Sequence, residues 1–174
     1  MINRGHRRSI RLPNYDYSTG GAYFVTICTY EHRKTLCTIK ESQPLSVGAH
    51  PCVRPSPIGI VSENRLWDLE EKFSGITLDH FVIMPNHIHF VLFFEGAHAG
   101  APLHEVVKWY KTQTTNDCIR MVKNGTIPPF NKHIWQRNYY EHVIRGEKDL
   151  YETRKYIENN PVKWTTDKYY SKED

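Results

Sequence analysis

His87 and His89 stand two positions apart inside the apolar stretch 81–94, a spacing that can do chemistry. Side chains of a strand alternate between faces, so the two imidazoles point the same way, along with Val91 and Phe93. Ile88, Phe90, Leu92 and Phe94 then form the opposite, core-facing side. Two imidazoles held side by side offer a two-point grip on a divalent metal. The same pair also suits a role as hydrogen-bonded core histidines, and spacing alone leaves both roles open.

A second group of candidates comes late in the chain. Tyr156 and Asn160 are four positions apart, hence on one face of a helix and one turn from each other. A phenol that attacks phosphorus needs help, because at a pKa of about 10 only about a thousandth of it is ionised at pH 7. A metal that polarises the phosphate reduces that demand, and a ligand one turn away would hold the ring beside it. With 11 tyrosines in the chain, the spacing equally fits a core tyrosine and an asparagine that caps the helix end.

Charge adds a third clue. The net charge is only +4, but Arg4, His6, Arg7, Arg8 and Arg11 crowd a basic arm (residues 1–14), and Arg137, His142 and Arg145 surround Tyr139 and Tyr140. Cations meet phosphates while rings stack on unpaired bases, so this interleaving points to nucleic acid; solvated tails and core tyrosines are the plain alternative.

These residues need elements to hold them. Residues 22–30 are β-branched and aromatic and read as a strand, with residues 31–40 as its returning hairpin partner. The proline-rich stretch 43–57 reads as a loop. Apolar spacing predicts a helix over 58–73, ended by Gly75. Strands follow at 76–84 and 87–95, joined tightly enough by Pro85 and Asn86 to pair antiparallel. Leu103, Val106, Val107, Tyr110, Thr114, Cys118 and Met121 form the stripe of a second helix, whose other face carries Lys108, Lys111, Arg120 and Lys123. Residues 135–145 receive no assignment, and a last helix runs over 148–160 to Pro161. The expected fold class is α+β: an antiparallel sheet with helices on one face, a ferredoxin-like (RRM-like) sandwich, plus the C-terminal tyrosine-bearing helix.

The 174 residues fit one domain, with a polar tail over 165–174. No apolar run approaches the ~20 residues of a membrane helix, no signal peptide opens the chain, and four scattered cysteines give neither a zinc ribbon nor a disulfide framework. A cytoplasmic protein is the expectation. Residues 48–55 and 96–103 both begin Gly-Ala-His and read as loop insertions of no assigned role.

Met84-Pro85-Asn86-His87-Ile88-His89, then residues 135–145, then residues 156–164, strongly resemble the single-tyrosine HUH transposases, IS200-like, in the REP-associated tyrosine branch. The resemblance covers roughly residues 10–165. It implies that His87 and His89 bind a divalent cation, Mg2+ or Mn2+, that Tyr156 is the nucleophile, and that Asn160 matches the polar residue completing the metal site. Because Asn is shorter than the Gln common in insertion-sequence relatives, direct ligation by Asn160 is the weaker match. The implied activity is cleavage and rejoining of single-stranded DNA near hairpins through a 5′-phosphotyrosine. Arg4, Arg7, Arg8 and Arg11 would then contact hairpin phosphates, with Arg137, Tyr139, Tyr140 and Arg145 near the active site. A monomer or homodimer fits. Two competing readings are a non-catalytic nucleic-acid-binding module of the same fold and a histidine-metal hydrolase; neither uses Tyr156 as a nucleophile.

Overall fold

Strand alternation sorts the central sheet into two faces that are covered very differently. The computed structural model describes residues 20–40, 52–95, 101–131 and 133–170. In chain order these form β1 (Gly21–Cys28), β2 (Cys37–Lys40), β3 (Cys52–Pro55), α1 (Pro57–Lys72), β4 (Ile76–Ile83), β5 (His87–Phe94), α2 (Leu103–Lys123), β6 (Tyr140–Ile144) and α3 (Glu147–Asn159). The main sheet runs β4-β5-β1-β6 with every pair antiparallel, which is the ferredoxin-like order.

Tyr23, Val25 and Ile27 of β1 and Ile88, Phe90, Leu92 and Phe94 of β5 bury one face against α1 and α2. Leu66 and Leu69 of α1 meet them there, with Leu103, Val106, Val107, Tyr110 and Cys118 of α2. Arg65 locks the two helices together, its Nε lying 2.6 Å from Asp117 Oδ2 and its Nη1 2.6 Å from Asp68. On the other face Ala22, Phe24, Val91 and Ile144 form a smaller cluster under Ile157 and Leu150 of α3. The sheet is therefore the middle layer, with the tyrosine-bearing helix and the segment after it on its second side.

Three expectations change. Residues 31–40 do not return beside β1: both of its edges are taken by β5 and β6, and Cys37–Lys40 instead pairs with Cys52–Pro55 in a separate ribbon. The turn Tyr30–His32, with φ of 55° at Glu31 and 54° at His32, carries the chain away from the sheet. The stretch 43–57 is accordingly not all loop, since its end supplies β3 and the Ser56 cap of α1, whose side chain accepts from Gly59 N at 3.0 Å. Gly59 is needed there: a Cβ would sit 2.1 Å from Leu36 O. Finally, residues 140–144 form β6 on the free edge of β1. The basic arm and the Gly-Ala-His openings of both loop stretches lie outside the described residues, while 52–55 of the first stretch are strand β3 rather than loop.

Candidate active site

His87 and His89 begin β5 and face α3, both fully buried, with ring centroids 4.5 Å apart. Each ring is oriented by a bond at its far nitrogen. Asn86 Nδ2 donates to Tyr169 O at 2.8 Å, so Asn86 Oδ1 is the acceptor 2.9 Å from His87 Nδ1. His87 Nδ1 therefore carries the proton and Nε2 presents a lone pair. His89 Nδ1 lies 2.8 Å from Thr26 Oγ1 on β1, directly across the register. Burial foremost, against the partial opposition of Asp167, pushes the His87 imidazole down to about 4. Burial and the neighbouring His87 hold His89 well below the usual range. Both are neutral at pH 7, the form that ligates metals.

Three side chains close the pocket from the α3 side. The Tyr156 hydroxyl lies 3.4 Å from His89 Nε2 and 3.4 Å from Asp167 Oδ2, its ring edge-on to Phe24 and His89. Burial, then the nearby Asp167 charge, pushes its phenol up to about 12. Asn160 ends α3 and is 3% exposed. Its Nδ2 donates to Asp167 Oδ2 at 3.1 Å, so its Oδ1 points elsewhere. Asp167 Oδ1 in turn accepts from Tyr169 N at 2.6 Å. Ligand atoms of His87, His89 and Asp167 all lie within 4.8 Å of one another.

Two atoms test whether a cation fits. His87 Nε2 and Asn160 Oδ1 are both buried acceptors without a hydrogen-bond partner, although the Asn160 carboxamide neighbours the His87 ring. Unpaired lone pairs are costly to bury, and a cation among them would satisfy both. Asp167 escaped the sequence reading because it falls in an aperiodic polar stretch. A carboxylate shortly after Pro161 was its sole signal. That stretch folds back: the Tyr169 ring lies tilted, 4.7 Å from His87, and Trp164 lies 6.1 Å away.

The remaining candidates separate. Tyr140 pairs with Thr26 at the pocket end of β6, half exposed, with Lys168 Nζ 5.1 Å above its ring. Arg145 is exposed at the far end, beyond the Ile144–Ala22 pair, about 16 Å along the strand direction. Tyr139 turns to the α1/α2 core instead. Arg137 is exposed, and its carbonyl, with those of Gln136 and Asn138, receives the Lys111 ammonium. Lys111 is thus no solvated charge; burial lowers its amine to about 8.

Residues 64–160 match the family described as "Transposase IS200 like". A Haemophilus influenzae protein of uncharacterised function is 32% identical over 95% of this chain and 93% of its own length. A second Haemophilus influenzae protein, described as a candidate REP-associated tyrosine transposase, is 27% identical over 87% of this chain and 77% of its own. Among solved structures, a REP-associated tyrosine transposase bound to a REP hairpin superposes with a TM-score of 0.58 at 21% identity, covering 88% of this chain and 74% of that one.

Proposed function

This chain belongs to the IS200-like transposase family, and on that premise we propose that it cleaves and rejoins single-stranded DNA with Tyr156 as nucleophile. One observation carries the reading: the Tyr156 hydroxyl, the paired imidazoles and two unpartnered buried acceptors converge in one pocket. Tyr156 Oη would form a bond to phosphorus as the bond to O3′ breaks, leaving a 5′-phosphotyrosine and a free 3′-hydroxyl. Re-attack by a 3′-hydroxyl reverses the step without ATP.

Ionising an ordinary phenol at pH 7 costs about 4 kcal/mol, and this site adds to that. Asp167 Oδ2 is the charged acceptor nearest the phenol proton. His87 Nε2, His89 Nε2, the Asp167 carboxylate and Asn160 Oδ1 would hold Mg2+ or Mn2+. The ion would neutralise charge on the phosphate oxygens. Thr26 and Asn86 keep the two ring nitrogens aimed.

DNA hairpins are the substrate class, by analogy with the hairpin-bound structural relative. Phosphates would be met by Arg4, Arg7, Arg8, Arg11 and Arg137, and bases by Tyr140. A monomer or homodimer working in the cytoplasm suits this role. Two histidines with a carboxylate also suit a metal hydrolase, and that reading rests on Asp167. Incubation with fluorescent hairpin oligonucleotides of randomised flanks and Mn2+ or Mg2+ separates them. A denaturant-resistant DNA adduct that chelator and Tyr156→Phe abolish supports strand transfer. Metal-dependent cleavage without an adduct supports the hydrolase.

A further inference from the structure

The helix that carries Tyr156 is attached to the sheet by little apolar surface. Within α3 only Thr153 and Ile157 are buried, with Leu150 packed at the margin. Such a seam keeps the helix on the sheet, but apolar burial is non-directional and leaves rotation about the helix axis soft. The directional contacts lie at the two edge strands. On β6, Asp149 Oδ2 accepts from Arg145 N at 2.8 Å and lies 2.9 Å from His142 Nε2. On β4, Asp79 receives Arg154 through two bonds, Nε to Oδ2 at 2.8 Å and Nη2 to Oδ1 at 2.6 Å.

The β4 attachment is built by a bulge. Leu78 faces Leu92 and Phe81 faces Phe90, so β4 holds one residue more than its partner between them. Leu78 and Phe81 both pack on the α1/α2 side. The two residues between them, Asp79 and His80, therefore both turn to α3, where regular alternation would deliver one. His80 Nδ1 sits 3.0 Å from Asp79 Oδ2 and His80 Nε2 3.4 Å from Glu158. Burial opposes ionisation of Asp79, yet the Arg154 hydrogen bonds and His80 hold its carboxyl below the ordinary carboxylate range.

Arg154 and Tyr156 are two positions apart, about 200° around the helix, so they flank the Ile157 seam on opposite sides. A turn of α3 that swings the phenol out of the pocket must drive Arg154 the opposite way, toward the sheet, and break the alignment of its two bonds to Asp79. With side chains reaching about 5–6 Å from the axis, a turn of about 10° moves a tip by about 1 Å. A misplacement of about 1 Å at a reacting group can cost about 100-fold in rate. We propose that the Asp79–Arg154 clamp, mounted on the β4 bulge, is a positioning device that sets the rotation of α3 and so the placement of the Tyr156 hydroxyl. Its effect on rate rests on Tyr156 being the nucleophile; its effect on geometry does not.

The test takes the full chain through two readouts. With the randomised-flank hairpin pool at saturation, Asp79→Asn and Arg154→Ala should each slow adduct formation by about 10–100-fold. The double variant should be no slower than either single one, and the half-saturating DNA concentration should stay constant. Arg154→Lys, which keeps the charge but loses the two-pronged bond, should fall between, and melting curves confirm that each variant is folded. Without DNA, the ring signal of Tyr156 in 13C-tyrosine-labelled protein, assigned by its loss in Tyr156→Phe, should move in both single variants. An unmoved ring signal would overturn the clamp whether or not the protein forms adducts. So would unchanged rates, or weaker DNA binding at unchanged rate, which would make Arg154 a phosphate contact; Asp79→Asn removes no cation and guards against that confusion. Absence of any adduct with wild-type protein alongside a shifting ring signal would count against the proposed function and leave the clamp standing.

Discussion

The two faces of the sheet bury polar groups differently. Under α1 and α2, Tyr110 Oη donates to Ser62 O at 3.0 Å and Trp135 Nε1 to Thr114 Oγ1 at 2.7 Å, with Glu141 Oε1, opposite Val25, the unpartnered exception among the described residues. Under α3, His87 Nε2 and Asn160 Oδ1 are buried as acceptors with no partner. The first face holds most of the large fully buried side chains, Tyr23, Phe90, Leu66 and Leu92 among them. The second has one narrow seam. An apolar layer on one side supplies the folding energy, which lets the other keep buried acceptors unpaired within the chain.

That contrast breaks first at the core. Phe90→Ala should cost about 3–5 kcal/mol, a large part of a typical domain's stability, and denaturant titration measures it. A loss below about 1 kcal/mol would mean that the α1/α2 face does not carry the fold. The next effect belongs to the second face. Unfolded His87 takes up a proton near pH 6.5, whereas the folded ring, held down to about 4, stays neutral. The folded chain's advantage is therefore present above about pH 6.5 and lost as pH falls toward 4. In chelator-treated protein this should remove about 3 kcal/mol across that window. His87→Ala should flatten the curve; an equally steep curve in the variant would place the acid sensitivity elsewhere.

His89→Ala sharpens the division of labour. The loss of stability should stay under about 2 kcal/mol, since packing comes from the opposite side of β5, while adduct formation should fall at least about 100-fold. A variant that unfolds, in a protein whose activity ignores chelator, would make the imidazoles structural. The smallest effect concerns the arm. Deleting residues 1–11 should flatten the slope of log affinity against log salt by about 0.7–0.9 for each phosphate that the arm neutralises, with cleavage of saturated substrate retained. An unchanged slope would reduce the arm to a solvated tail.

Alternation made β5, its facing histidines and the α2 stripe readable, because one side of each is continuously apolar. The Tyr156–Asn160 spacing was readable as a helix face but needed a family resemblance to acquire chemistry. Asp167 was hidden because its position depends on a backward fold after Pro161 that no periodicity announces. The β2–β3 ribbon has four residues in each strand, too short for alternation to register. The Asp79–His80 bulge is invisible without its partner strand, since an extra residue is extra only relative to β5. Lys111 looked like a surface charge because the three carbonyls it holds lie 25 or more positions away.

The central claim is that Tyr156 becomes covalently joined to DNA. Mass spectrometry of the protease-digested adduct, formed with Mn2+ or Mg2+ on hairpin-bearing single strands, tests it most directly. The account predicts one nucleotide-bearing peptide containing Tyr156, absent from Tyr156→Phe and from chelated protein. DNA attached to Tyr139, Tyr140 or Tyr169 would contradict it, as would an adduct that persists in Tyr156→Phe.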